Sequence, residues 1–258
     1  MNISFTKKEI LHLLVSALVI GLVFGFDDGR EVFEAKLWFV NYVLMSCLGL
    51  ISLAVMVLGH KWAAGRYSIK SEYNLWGISR FGFKEYQKLP VPHVSFIQKL
   101  HLGIILPLTI AVFSEGQIWL ASVGMILTSM KAEHRIGRKW IQITDYEEAR
   151  IAFAGPVATM IFLIILGLFF ENSGANIWKT LIIMNMVILG SHMLPFPQLA
   201  GGKMIFTSFY LFVFALALTV AIILLLLFVP ATSAMAMALI LAVLTVIAVY
   251  FKREVLSK

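Results

Sequence analysis

The sequence predicts an all-α polytopic membrane protein of about six transmembrane helices, with a small β element at its cytoplasmic face. Two observations carry that prediction. Apolar residues make up 60% of the 258-residue chain and charged residues 14%, with a mean hydropathy of +0.90. A soluble domain of this size needs far more charged surface. The polar residues also fall in blocks between long uncharged runs, and a helical crossing takes ~20 apolar residues.

The first run, 10–26, is preceded by Lys7 and Lys8 and followed by Asp27 and Asp28. It resembles a signal peptide but lacks a small-residue cleavage site, so it reads as a first span or a signal anchor. The second run, 37–60, ends in Lys61, Trp62, Arg66 and Tyr67, the kind of cluster that anchors a span at the interface. Residues 67–83 alternate in part, with Gly77 and Gly82 as punctuation, and read as short strands. The apolar stretches 102–113 and 117–130 are too short to cross comfortably, and Pro107 interrupts the first. A re-entrant or interfacial excursion fits them better. Runs at 151–170 and 180–202 supply two more spans. The last, 204–251, is too long for one span, and Pro230 divides it into a helical hairpin with a final helix at 232–251. The whole chain, 1–258, is read as a single integral membrane domain.

Charge sets the expected orientation. With the N-terminus and residues 61–150 on the cytoplasmic side, eighteen of the twenty-one basic residues are cytoplasmic. Only Arg30, Lys36 and Lys179 fall outside, and the outer loop carries Asp27, Asp28, Glu31 and Glu34. The positive-inside rule then places both termini in the cytoplasm of a multi-pass cell-membrane protein. The bilayer accounts for the net charge of +7, and no nucleic-acid partner is needed. A single cysteine, Cys47, excludes a disulfide framework and a C-x-x-C metal motif, and reads as a small buried apolar residue. No Gly-rich phosphate loop or G-x-S-x-G motif occurs, and Ser191 beside His192 is an adjacent pair without relay geometry. The middles of the spans carry no carboxylate or lysine, which argues against ion or proton relay.

Three segments then share a pattern. They are LGHKWAAGRY (58–67), EEARIAFAGP (147–156) and LPFPQLAGG (194–202), with RIGRK (135–139) before the second. Pro195 and Pro197 have no backbone N–H, so the third segment must break a helix, either in a surface loop or where the backbone lines a cavity. In this order the segments resemble the site-2 protease family of intramembrane zinc metalloproteases, over a core of roughly 37–215. That family is similar in carrying H-E-x-x-H, then A-G-P-x-x-N, then N-x-x-P-x-P-x-L-D-G.

The resemblance implies a metal site whose parts are largely missing. Histidines at i and i+4 share a helix face and reach one zinc, the glutamate after the first serves as base, and the later aspartate completes the ligands. With His60 as the second histidine, the first falls at Met56, the base at Val57 and the aspartate at Ala200. The two asparagine positions fall at His192 and Thr159. His60 alone remains, with His192 as a candidate second metal-facing residue. The backbone-shaping residues Gly155, Pro156, Pro195, Phe196 and Pro197 are kept, and with Thr159 they are expected to line a cavity or substrate site. The expectation is therefore a catalytically inactive homologue, without a cofactor, that binds transmembrane segments of other membrane proteins. The strand-like 67–83 would offer its edge to an unwound client. The alternative is a divergent zinc metallopeptidase with relocated ligands, its carboxylate drawn from Glu72, Glu85 or Glu115.

Overall fold

A capping box starts the first helix. Thr6 accepts from the Glu9 N–H at 3.2 Å, and the Glu9 carboxylate accepts from the Thr6 N–H at 3.4 Å, so α1 (Lys7–Phe24) begins with two otherwise orphaned donors satisfied. The structure, a computed structural model, describes residues 4–27, 29–30, 33–77, 101–130, 143–173 and 176–251. It is 74% helical, with eight helices and one two-stranded sheet among the described residues.

Three helices are long and apolar enough to cross a membrane. They are α2 (Ala35–Arg66), most of α4 (Asp145–Ser173), and α8 (Ala231–Tyr250). At 1.5 Å per residue the 32 residues of α2 extend about 48 Å, longer than the hydrocarbon layer. The helices α5 (Asn176–His192) and α7 (Phe209–Leu225) have 17 residues each, and α1 has 18 with Lys7, Lys8 and Glu9 in its first turn.

The run read as one span at 180–202 is two elements. Helix α5 stops at His192, residues 193–199 form a loop around Pro195 and Pro197, and α6 (Ala200–Thr207) starts afresh. The missing proline N–H groups explain the stop. The final uncharged run breaks twice, at Ser208 in extended conformation (φ −154°) and at Pro230, before α8 packs Ala238 and Ala242 against Leu218, Ala221 and Ile222 of α7.

The β element holds one surprise. Strand β1 (Ile69–Leu75) lies inside the expected 67–83, reached through Ser68 in the left-handed region (φ 56°). Its antiparallel partner is β2 (Gly124–Met130), with Ile69 opposite Met130 and Leu75 opposite Gly124. That segment belongs to a stretch read as an apolar excursion. Residues 121–126 are all buried, so no polar face interrupts the pattern to signal a strand. The sheet runs alongside α1 to its middle, where the Tyr73 hydroxyl donates to Ser16 Oγ at 2.8 Å. Helix α3 (Leu102–Phe113) and the segment after it continue along α1. Trp119 stacks on Phe24 at 5.4 Å, and Gly116 lies against Phe26 and Asp27.

Small residues set the helix crossings. A Cβ on Gly21 would collide with Ser46 where α1 crosses α2, and one on Gly59 would meet Ala158 Cβ at 2.6 Å where α2 crosses α4. Asn185 ties α5 to α2 by donating to Ser52 Oγ at 2.9 Å, besides its own-helix bond to the Leu181 carbonyl at 2.8 Å. Interhelical bonds of this type average only ~0.6 kcal/mol, so Ser52→Ala is expected to lower unfolding free energy in detergent by less than ~1 kcal/mol. Cys47 is exposed on α2 and is not the buried apolar residue expected.

Candidate functional site

The ladder parity decides what each sheet edge offers. Trp76 N–H donates to the Val123 carbonyl at 3.1 Å, so residues at the parity of 76 and 123 bond across the ladder and the alternate pairs point their backbone outwards. Ser71, Tyr73 and Leu75 therefore face out from β1, and Gly124, Ile126 and Thr128 from β2.

The β1 edge is closed by a buried ion pair. Glu9 accepts the Tyr73 N–H at 2.9 Å, Lys61 donates to the Ser71 carbonyl at 3.2 Å, and the two side chains meet at 2.9 Å. Lys61 also donates to the Ser4 carbonyl at 2.9 Å, and Asn74 Oδ1 takes the Leu75 N–H at 3.1 Å. With side chains 7% and 1% exposed, Lys61 and Glu9 are interior groups. Lys61 is thus not an interfacial anchor, because Glu9 satisfies its charge inside the protein; Trp62 and Arg66, in cation–π contact at 4.0 Å, do sit on the surface. Burial pushes the Tyr73 phenol above its ordinary value, against the opposing effect of its bond to Ser16, which leaves it a neutral donor.

The β2 edge faces a recess. Its walls include Met56 and His60 of α2, Ile126 and Thr128 of β2, His192 at the end of α5 and Ala200 at the start of α6. Glu148 and Lys203 complete its polar side. The free space is about 20 Å³, room for one water-sized group. Four positions picked from the sequence thus come together from two stretches about 140 residues apart. Val57 is buried but is not among the lining residues.

Both histidines are held by carbonyls. His60 Nδ1 lies 2.7 Å from the Ile151 carbonyl of α4, and His192 Nδ1 lies 2.9 Å from the Ile188 carbonyl one turn back. Pro156 has no N–H for the Ala152 carbonyl, which loosens the α4 turn beside the His60 contact. His192 Nε2 is buried close to the Gly124 backbone without a hydrogen bond of normal geometry among the described residues. A Cβ on Gly155 would be nearly equidistant from His60 Nε2, Cδ2 and Cε1, so the glycine lies flat on the imidazole face.

The expected cavity-lining set is placed differently. None of Gly155, Pro156, Thr159, Pro195, Phe196 and Pro197 lines the recess. Thr159 donates to the Gly155 carbonyl at 3.2 Å, and Gly155 and Pro156 are buried in the α2–α4 contact. Residues 195–197 are exposed, with Phe196 5.3 Å from the Trp76 ring. Their role is to turn the chain so that α6 presents Lys203. Gly201 and Gly202 permit that turn, since a Cβ would strike the Met193 and Phe196 carbonyls respectively.

Sequence reasoning missed Glu148 and Lys203. Lys203 donates to the Ile126 carbonyl at 2.7 Å and pairs with Glu148 at 3.2 Å. An ionisable residue beside a broken helix in an uncharged run is a signal that could have found Lys203. Of the carboxylates considered for relocated ligation, Glu72 pairs with Lys70 at 2.6 Å and lines a separate recess with Thr6 and Glu9, while Glu115 lies in the turn after α3 at φ 52°. Glu85 lies outside the described residues, as do His93 and His134.

Zinc does not fit this donor set. No group of three or more His, Cys, Asp or Glu side chains converges as a metal site among the described residues. Two imidazoles and a thioether, with alanine at the carboxylate position and the lining carboxylate Glu148 paired with the Lys203 ammonium, are a poor set for that ion. Comparison with known protein families, curated proteins and solved structures finds no match.

Proposed function

We propose that this chain is a multi-pass cell-membrane protein with a degenerate site-2 protease-like core at about 37–215, catalytically inactive, that holds transmembrane segments of other membrane proteins in a regulatory or chaperone-like role. In this reading it crosses the bilayer six times, with both termini cytoplasmic and no resident metal. The observation that carries it is the convergence of Met56, His60, His192 and Ala200 on one recess beside the outer edge of β2. The resemblance puts ligands at Met56, His60 and Ala200 and an asparagine at His192, and the groups now present at these four positions provide neither a carboxylate ligand nor a base. The edge expected for client binding moves from β1, which Glu9 and Lys61 close, to β2. An unwound segment would take its main-chain bonds from β2.

The test is elemental analysis of detergent-purified protein beside a His60→Ala control, with a cleavage assay on single-span substrates. Substoichiometric zinc in both proteins and no cleavage are expected. Stoichiometric zinc together with cleavage that disappears in His60→Ala would instead establish a metallopeptidase with relocated ligands. Glu148 would then be its first candidate carboxylate, since it lines the recess.

A further inference from the structure

We propose that Lys203 is a displaceable latch on the outer edge of β2, occupying the backbone acceptor that an extended client segment would use and retreating onto Glu148 when the segment adds. The inference rests on the client-binding reading above and goes beyond it by naming the groups that gate the edge.

The two edges are capped in different ways. On β1 both a carboxylate and an ammonium are spent on the backbone, in a pair almost wholly buried. On β2 a single ammonium caps a single carbonyl, Ile126, and its side chain and that of Glu148 are 16% and 27% exposed. The outward N–H of Ile126 and the outward N–H and C=O of Thr128 take no partner among the described residues. A strand adding here needs the Ile126 carbonyl as acceptor for its own N–H. The Lys203 ammonium stands in for that N–H, and a lysine on a sheet edge is a known guard against unwanted pairing. Displacing it does not strand a charge, because Glu148 already holds the same ammonium at 3.2 Å. Opening therefore gives up the Ile126 acceptor and keeps the ion pair. The occupant is an extended apolar segment of a membrane protein: Met56, Ile151, Ala152 and Ala200 form the apolar part of the wall, its two imidazoles are neutral hydrogen-bonded groups beside them, and the space admits only a small side chain.

The experiment uses the full chain with Cys47→Ser and a reporter Thr128→Cys. The probe is a lysine-flanked leucine–alanine single-span peptide with a central Gly-Pro pair, to unwind it, and one cysteine beside that pair. Disulfide yield against peptide concentration gives an apparent affinity. Lys203→Met is expected to raise it by about tenfold, the scale of one charge-assisted hydrogen bond. Glu148→Gln is expected to lower it, since the displaced ammonium loses its resting place. Lys203→Arg should stay near the starting value, and a probe N-methylated at the pairing amides should lose the Lys203→Met gain. A merely structural ion pair would move Lys203→Met and Glu148→Gln in the same direction, which overturns the latch. Equal affinity in all variants overturns the latch and leaves client binding standing, whereas no cross-link in any variant overturns both. Should Lys203→Met fail to fold, the Glu148→Gln arm decides alone, and an unchanged or raised affinity there is fatal.

Discussion

Lys61→Met is expected to lower the unfolding free energy of the detergent-solubilised protein by about 3–5 kcal/mol, the range seen when one member of a buried ion pair is removed. The reason lies in what stays behind. Glu9 would remain as a buried carboxylate, still accepting the Tyr73 N–H at 2.9 Å, with its cation replaced by a thioether. The Ser71 and Ser4 carbonyls would lose their donor in the same step. Adding Glu9→Gln to Lys61→Met should recover most of the loss, since a neutral amide keeps an acceptor for Tyr73 and removes the unpaired charge. Thermal or denaturant unfolding followed by circular dichroism reads both variants. A loss below ~1 kcal/mol in Lys61→Met, or no recovery in the double variant, would show that this pair does not hold α1, α2 and β1 together.

The residues involved show what a sequence discloses about such a fold and what it withholds. Thr6-x-x-Glu9 is a capping-box pattern, a local signal for the start of α1 that the apolar run at 10–26 passes over. The burial of Glu9 was not, because its partners Lys61 and Tyr73 lie more than fifty residues downstream and meet it only through packing. Lys61 looked like an anchor because it follows an apolar run, which is where interfacial lysines usually stand. Pro195, Pro197 and Pro230 announced their helix breaks through a local property, the missing N–H, that no tertiary context removes. Strand β2 gave no comparable signal. Residues 121–126, its approach and first three positions, are all buried, and periodicity cannot then separate a strand from a short helix. The recess was half legible: His60, Met56, His192 and Ala200 came from motif spacing, while Glu148 and Lys203 meet only once α4 and α6 are placed against β2.

Gly155→Ala is the second large effect, and it tests why His60 is present. The new Cβ would press on the imidazole face from α4, at a crossing where Gly59 of α2 already lies against Gly155 and Ala158. Overpacking of this kind costs about 1–3 kcal/mol. His60→Ala by itself should also destabilise, because the buried Ile151 carbonyl loses the donor now 2.7 Å away and the ring leaves a hole. In the His60→Ala background, however, Gly155→Ala is expected to cost little, since the methyl then enters space the ring has vacated. The double-mutant cycle should therefore show a coupling of at least ~1 kcal/mol, and strict additivity would mean that ring and glycine do not meet in solution. Added zinc separates packing from ligation in the same samples. A ligand that binds only the folded state raises its stability with concentration. If His60 is a packing element, zinc leaves wild type and His60→Ala equally unshifted. A zinc-dependent rise in wild type that vanishes in His60→Ala would assign the imidazole to a metal, and with it return the recess to chemistry.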